Sequence, residues 1–145
     1  MQEGYFMANR YFRQFRNTLE PQVVDIIAQV SFGAAGAPTL SAANSKGIVS
    51  VTKTATGRYV FVFGTNVQSK DTYVKLLGVS ATWDATANSG LAPAAPLVYI
   101  FANAISTIGT ASITIQCLDA AGVAADPATT EIVHIDFMLK NSTAF

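Results

Sequence analysis

The stretch Lys46–Thr65, KGIVSVTKTATGRYVFVFGT, constrains the fold more than any other part of the chain. β-Branched and aromatic residues crowd both halves and the four residues Thr-Ala-Thr-Gly separate them, which reads as two strands around a tight turn. Successive side chains of a strand point to opposite faces. Tyr59, Phe61 and Phe63 therefore share one face, and Val60 and Val62 share the other. A sheet with one wet side alternates apolar with polar residues. This strand does not, so something has to cover each side of it.

The same period-2 logic yields seven strands from Gln22 onward: Gln22–Phe32, GIVSVTKT, GRYVFVFG, Thr72–Trp83, Leu97–Ile105, Ala111–Leu118 and Thr130–Lys140. The first places Val24, Ile26, Ala28, Val30 and Phe32 on one face, with Asp25, Gln29 and Ser31 opposite. In the fourth, Leu77, Val79, Ala81 and Trp83 read as inward. Ala111, Ile113, Ile115 and Cys117 form the apolar face of the sixth, and Val133, Ile135, Phe137 and Leu139 that of the seventh. Leu97–Ile105 is apolar on both faces. In the TATG turn, Gly57 is placed to supply the left-handed residue that closes the loop.

Three small-residue loops separate these strands, at Gly33–Gly47, Asp84–Pro96 and Asp119–Ala128. They carry Gly and Pro and lack helical periodicity, so they are not read as helices. Loops this long tend to be functional or held down by something. Short strands with turn signals between them predict an all-β, antiparallel β-sandwich of jelly-roll type. Residues 22–145 form that domain, and residues 1–21 stand apart as an N-terminal arm or short helix.

The chain as a whole is unusually poor in charge. Charged residues make up 12% of the 145, about half the usual share of roughly 25%. Nine basic and nine acidic residues give a formal net charge of zero, which favours association. By mass–surface scaling, a compact chain of this length exposes on the order of 7,000 Å². So few charges leave much of that surface to hydroxyls and amides, or to burial against other chains. We favour burial.

Catalytic chemistry is thinly provided. His134 is the only histidine and shares a strand face with Ile132, Asp136 and Met138. It has a carboxylate two residues on but no nucleophile beside it. Cys117, the only cysteine, falls on an apolar face, which is the setting of an inert packed thiol. With one cysteine there is neither an intrachain disulfide nor a zinc-ribbon site, and synthesis in a reducing compartment is the plain expectation. No Gly-x-Ser-x-Gly elbow occurs. GAAGAP lacks the Gly-Lys-Ser/Thr of a phosphate loop. Asp119, Asp126 and Glu131 fall near one sheet end but match no calcium loop, so separate turn roles explain them better. The expectation is a protein without enzymatic activity, cofactor or metal. No apolar run is long enough for a membrane span and no basic block marks a nucleic-acid site, so neither partner is expected.

The arm is the most unusual segment. It contains Arg10, Tyr11, Phe12, Arg13, Phe15 and Arg16 and ends at Pro21, which breaks any helix. On a helix, Phe12, Phe15 and Leu19 form one apolar stripe. So much aromatic surface needs a receiver: its own domain, another protein chain, or a lipid or nucleic-acid surface. Aromatic and arginine anchors suit protein contacts.

The block Ser31–Gly64 resembles small virion proteins of tailed bacteriophages, through Gly36–Leu40 (GAPTL), Gly47–Val51 (GIVSV) and Thr56–Tyr59 (TGRY). The ending Ala128–Ala144 resembles such proteins too. The resemblance implies a β-sandwich capsid-decorating (cement) protein, a homotrimer seated over contacts of the major capsid protein. It would be made in the host cytoplasm and located on the outer capsid surface of the virion. The arm has no part in the resemblance. On physical grounds, the residues expected at the capsid or subunit interface are Arg10, Tyr11, Phe12, Arg13, Phe15, Arg16, Tyr59, Phe61 and Phe63. The alternative is a tail or head-fibre module that binds host glycans through Trp83, Tyr99 or Tyr73.

Overall fold

The structure is a computed structural model, and it describes residues 23–45, 47–63, 75–85, 92–106 and 111–140. Within them the seven alternating segments and one short piece of the first loop form eight strands: β1 (Val23–Phe32), β2 (Pro38–Leu40), β3 (Ile48–Ala55), β4 (Arg58–Phe63), β5 (Lys75–Asp84), β6 (Leu97–Ala104), β7 (Ser112–Leu118) and β8 (Ile132–Lys140). They form two four-stranded antiparallel sheets, in the orders β2-β1-β8-β5 and β3-β4-β7-β6. The expected all-β sandwich is therefore present. Three connections are hairpins within a sheet and four cross between sheets, an order that is not by itself that of a jelly roll.

The core is what the alternation prescribes. Ile26, Ala28, Val30 and Phe32 of β1 and Val133, Ile135, Phe137 and Leu139 of β8 are buried from one sheet. Tyr59, Phe61, Phe63, Ile113, Ile115 and Cys117 meet them from the other. Aromatic rings make the crossing contacts. Phe137 packs on Phe61 and Phe63 with ring centroids 5.2 and 5.1 Å apart, and Phe32 meets Tyr59 edge-on at 5.2 Å. Edge-to-face geometry sets the positive ring edge against the negative face of its neighbour, which adds to the gain from burial.

Three local differences from the sequence reading have physical causes. β2 lies inside the first predicted loop; three residues beginning with Pro give no periodic signal, yet they pair with Val30–Phe32. β3 continues to Ala55, so the hairpin turn shrinks to Thr56-Gly57, and a register shift between Lys53 and Ala55 absorbs the remainder. Gly57 does take the expected left-handed conformation, at φ +66°. In β5 a bulge between Leu76 and Gly78 changes the parity, so Leu76 rather than Leu77 packs on the core with Val79, Ala81 and Trp83.

Candidate interaction surface

The second face of the Phe-rich strand is where the molecule presents its unusual exterior. β4 sits inside its sheet between β3 and β7, so Val60 and Val62 are flanked by Thr114 and Ser112 and are only half-buried. Arg58, on that same face, stands opposite Gln116. Its Nε donates to Gln116 Oε1 at 3.1 Å, while Gln116 Nε2 donates to the carbonyls of Thr56 (2.9 Å) and Cys117 (3.2 Å). Gln116 is 3% exposed although it lies on the outer face, because this network and the side chains over it cover it. The Arg58 guanidinium carbon lies 3.6 Å from the centre of the Phe101 ring, a cation–π contact reaching from β4 to β6.

β6 completes the surface. It is the outermost strand of its sheet and pairs, among the described residues, with β7 alone. Leu97, Tyr99, Ile100 and Phe101 are 41–48% exposed. Tyr99 stands beside Gln116 on the outer face, next to the Arg58–Phe101 pair. Ile100 points the other way, opposite Ile115, into a groove of about 440 Å³ between the two sheets that Val79, Ala81 and Val98 also line. An edge strand with a wet aromatic face, a fixed guanidinium and an apolar groove behind it has the composition of a protein-contact hot spot. It has no arrangement of acid, base and nucleophile.

The ionisable side chains elsewhere tie loops to the sandwich. Asp126 accepts from Lys53 Nζ at 2.7 Å through Oδ2 and from the Gly57 amide at 2.7 Å through Oδ1. Burial pushes its carboxyl up, but the Lys53 hydrogen bond, the Gly57 amide, the Lys53 charge and the Tyr59 hydroxyl together hold it below the usual carboxylate range. Tyr59 Oη donates to the Gly36 carbonyl at 3.0 Å; burial first, then the Asp126 charge, raise its pKa. Lys53 Nζ also donates to the Ala35 carbonyl. One polar corner thus fastens the first and third long loops to the β3–β4 turn.

Glu131 is fully buried and accepts from the amides of Ala94 and Ala128, both at 2.9 Å, holding the end of the second loop to the start of β8. Asp119 caps its own turn through the amides of Ala121 and Val123. The three carboxylates weighed for calcium therefore serve three separate backbone sites. Among the described residues no three His, Cys, Asp or Glu side chains gather as a metal site. Burial, then the Asp126 charge, push the Cys117 thiol up to about 12, so it is protonated and shielded at neutral pH. His134 lies on an exposed strand position between Gln29 and Thr82.

The predicted interface residues divide into two groups. Arg10, Tyr11, Phe12, Arg13, Phe15 and Arg16 lie outside the described residues, as does Tyr73. Tyr59, Phe61 and Phe63 are 1%, 1% and 3% exposed within a single chain. Their placement at a subunit contact is corrected: their own second sheet covers them, and the parity that makes them aromatic and aligned also points them inward. Sequence reasoning missed Arg58 and Phe101 as a unit. They are far apart in the chain, and only the β4-β7-β6 order brings them together.

No protein-family model matches the chain, and neither a curated protein nor a solved structure matches it. Among the described residues no helix is long and apolar enough to cross a membrane.

Proposed function

We propose that this chain is a structural virion protein of capsid-decorating type, which binds and stabilises a phage shell through oligomeric protein–protein contacts. The observation that carries the reading is the outer strip of β6 with Arg58: three large apolar side chains, Leu97, Tyr99 and Phe101, 47–48% exposed, beside a guanidinium already fixed on Phe101, in a chain with only 12% charged residues. Such a strip buries at roughly 25 cal/mol per Å² before association costs are subtracted. Low charge keeps the desolvation cost of a large contact small. The proposed partners are the major capsid protein and sister copies in a homotrimer, with the arm residues Arg10–Arg16 as a second anchor. Sequence resemblance supplies the word capsid; the surface supplies the mode of binding.

The glycan-binding alternative relies on flat exposed rings. Trp83 packs on Phe32 with ring centroids 5.9 Å apart, and its indole nitrogen is buried. Of the rings named for that role, Tyr99 is the described one left open to a sugar, and the virion reading is preferred.

Purified chain added to shells that lack it is the test. Stoichiometric binding that weakens on Arg58→Ala or Phe101→Ala supports the proposal, and deletion of residues 1–21 reports the arm's share. A folded protein that leaves such shells bare at micromolar concentration overturns it.

A further inference from the structure

The two sheets have four outer edges, and three of them are blunted. β2 is three residues long and begins with Pro. β3 carries Lys53 and two register shifts. β5 has a charged residue at each end, Lys75 and Asp84, and a bulge at Gly78. Short length, lysine, proline and bulges are the devices by which native edges avoid further pairing. β6 has one register shift, between Ile100 and Ala102, but runs eight residues, LVYIFANA, without a charge or a proline.

We infer that the edge of β6, unpaired among the described residues, is a self-association seam, which pairs antiparallel with β6 of a second copy about a two-fold axis near Ile100. This inference does not rest on the virion reading, since it concerns the purified chain.

The register follows from the side chains. Centring the pair on Ile100 sets Tyr99 of each copy opposite Phe101 of the other, giving two cross-strand aromatic pairs on the outer face, of the kind that stabilises antiparallel strands. The two Ile100 side chains meet at the mouths of the apolar grooves and close them. An isologous contact repeats every feature twice, so any charge on the strand would enter the seam from both copies and be desolvated twice; β6 has none. The strand presents Leu97, Tyr99, Ile100 and Phe101 at 47, 47, 41 and 48% exposure. Taking an aromatic side chain as about 150–250 Å², these four offer on the order of 350 Å² per copy. Two copies bury about 700 Å², below the roughly 1,000 Å² of a firm interface. Main-chain hydrogen bonds between the strands add to it, and the seam therefore dissociates on dilution. A three-fold contact elsewhere on the molecule would combine with it into a hexamer; alone it gives a dimer.

The test is disulfide trapping in the full chain. Ile100→Cys places two thiols at facing positions about 4.5–5.5 Å apart between Cα atoms, within reach of a disulfide. Mild oxidation is expected to yield an interchain dimer that native Cys117, being buried, does not give. Val123→Cys, 61% exposed elsewhere on the molecule, is the control and should remain uncoupled at the same concentration. Tyr99→Lys should weaken self-association roughly tenfold or more in sedimentation equilibrium, while circular dichroism stays unchanged. Dimers or hexamers that respond in this way support the seam. A folded Ile100→Cys chain that does not cross-link, or cross-links no faster than Val123→Cys, overturns it. So does hydrogen-exchange protection of β6 that is independent of protein concentration, because a segment of the same chain would then occupy the edge.

Discussion

Replacing Gly57 with alanine tests the glycine that, among the described ones, leaves the least room for a side chain. Gly57 has φ +66°, and a Cβ added there would lie 2.5 Å from the carbonyl oxygens of both Ala125 and Cys117 and 2.8 Å from Gln116 Nε2. The left-handed conformation alone costs an L-residue about 1–2 kcal/mol. Relieving two backbone contacts requires the turn to move, with an overpacking cost of about 1–3 kcal/mol. The move also strains two hydrogen bonds of 2.7 Å, from the Cys117 amide to the Gly57 carbonyl and from the Gly57 amide to Asp126. A total loss of about 3–5 kcal/mol is expected. Gly122 provides the internal control: at φ +82° a methyl group would meet nothing within 4 Å, so Gly122→Ala should cost only the conformational term, about 1–2 kcal/mol. Urea unfolding of the two variants beside the parent chain separates the contributions. If Gly57→Ala is as stable as Gly122→Ala, the crowding argument is wrong and the polar corner is looser than described.

Acid should loosen the same corner. Because Asp126 is held below its ordinary carboxylate range, its contribution is fully present above the unfolded value of about 3.9 and is lost as pH falls through the lower folded value. The stability gap between the parent chain and Asp126→Asn should therefore be constant from pH 7 to about 5 and close below about 4; a gap that persists unchanged at pH 2.5 refutes the assignment. In the core, Phe137→Ala removes a fully buried ring that contacts Phe61 and Phe63, and should lower the urea-extrapolated stability by about 3–5 kcal/mol. A loss below about 1 kcal/mol would mean that the sheets collapse freely over the cavity.

How far the sequence carried depends on whether the signal was local. Alternation in Ile26–Phe32, Ile113–Cys117 and Val133–Leu139 fixes which side chains face inward, because a strand has period two and a one-residue slip would drive the apolar set into water. Gly57 was legible for a similar reason, since a tight hairpin needs one left-handed residue. Parity also breaks without local warning. Leu77 sits in an alternating string, yet a bulge hands its place to Leu76, and that bulge is decided by pairing with Leu139 and Met138 across the sheet.

The opening strand shows the division most clearly. Its sequence determined that Tyr59, Phe61 and Phe63 lie together and that both faces of β4 are apolar. Only the tertiary structure decided that the partner sheet covers the aromatic face and that Val60 and Val62 are half-buried on an outer face that also carries Arg58, Tyr99 and Phe101. Strand order is the physical reason: periodicity says which way a residue points, but which neighbours it meets depends on contacts between segments far apart in the chain.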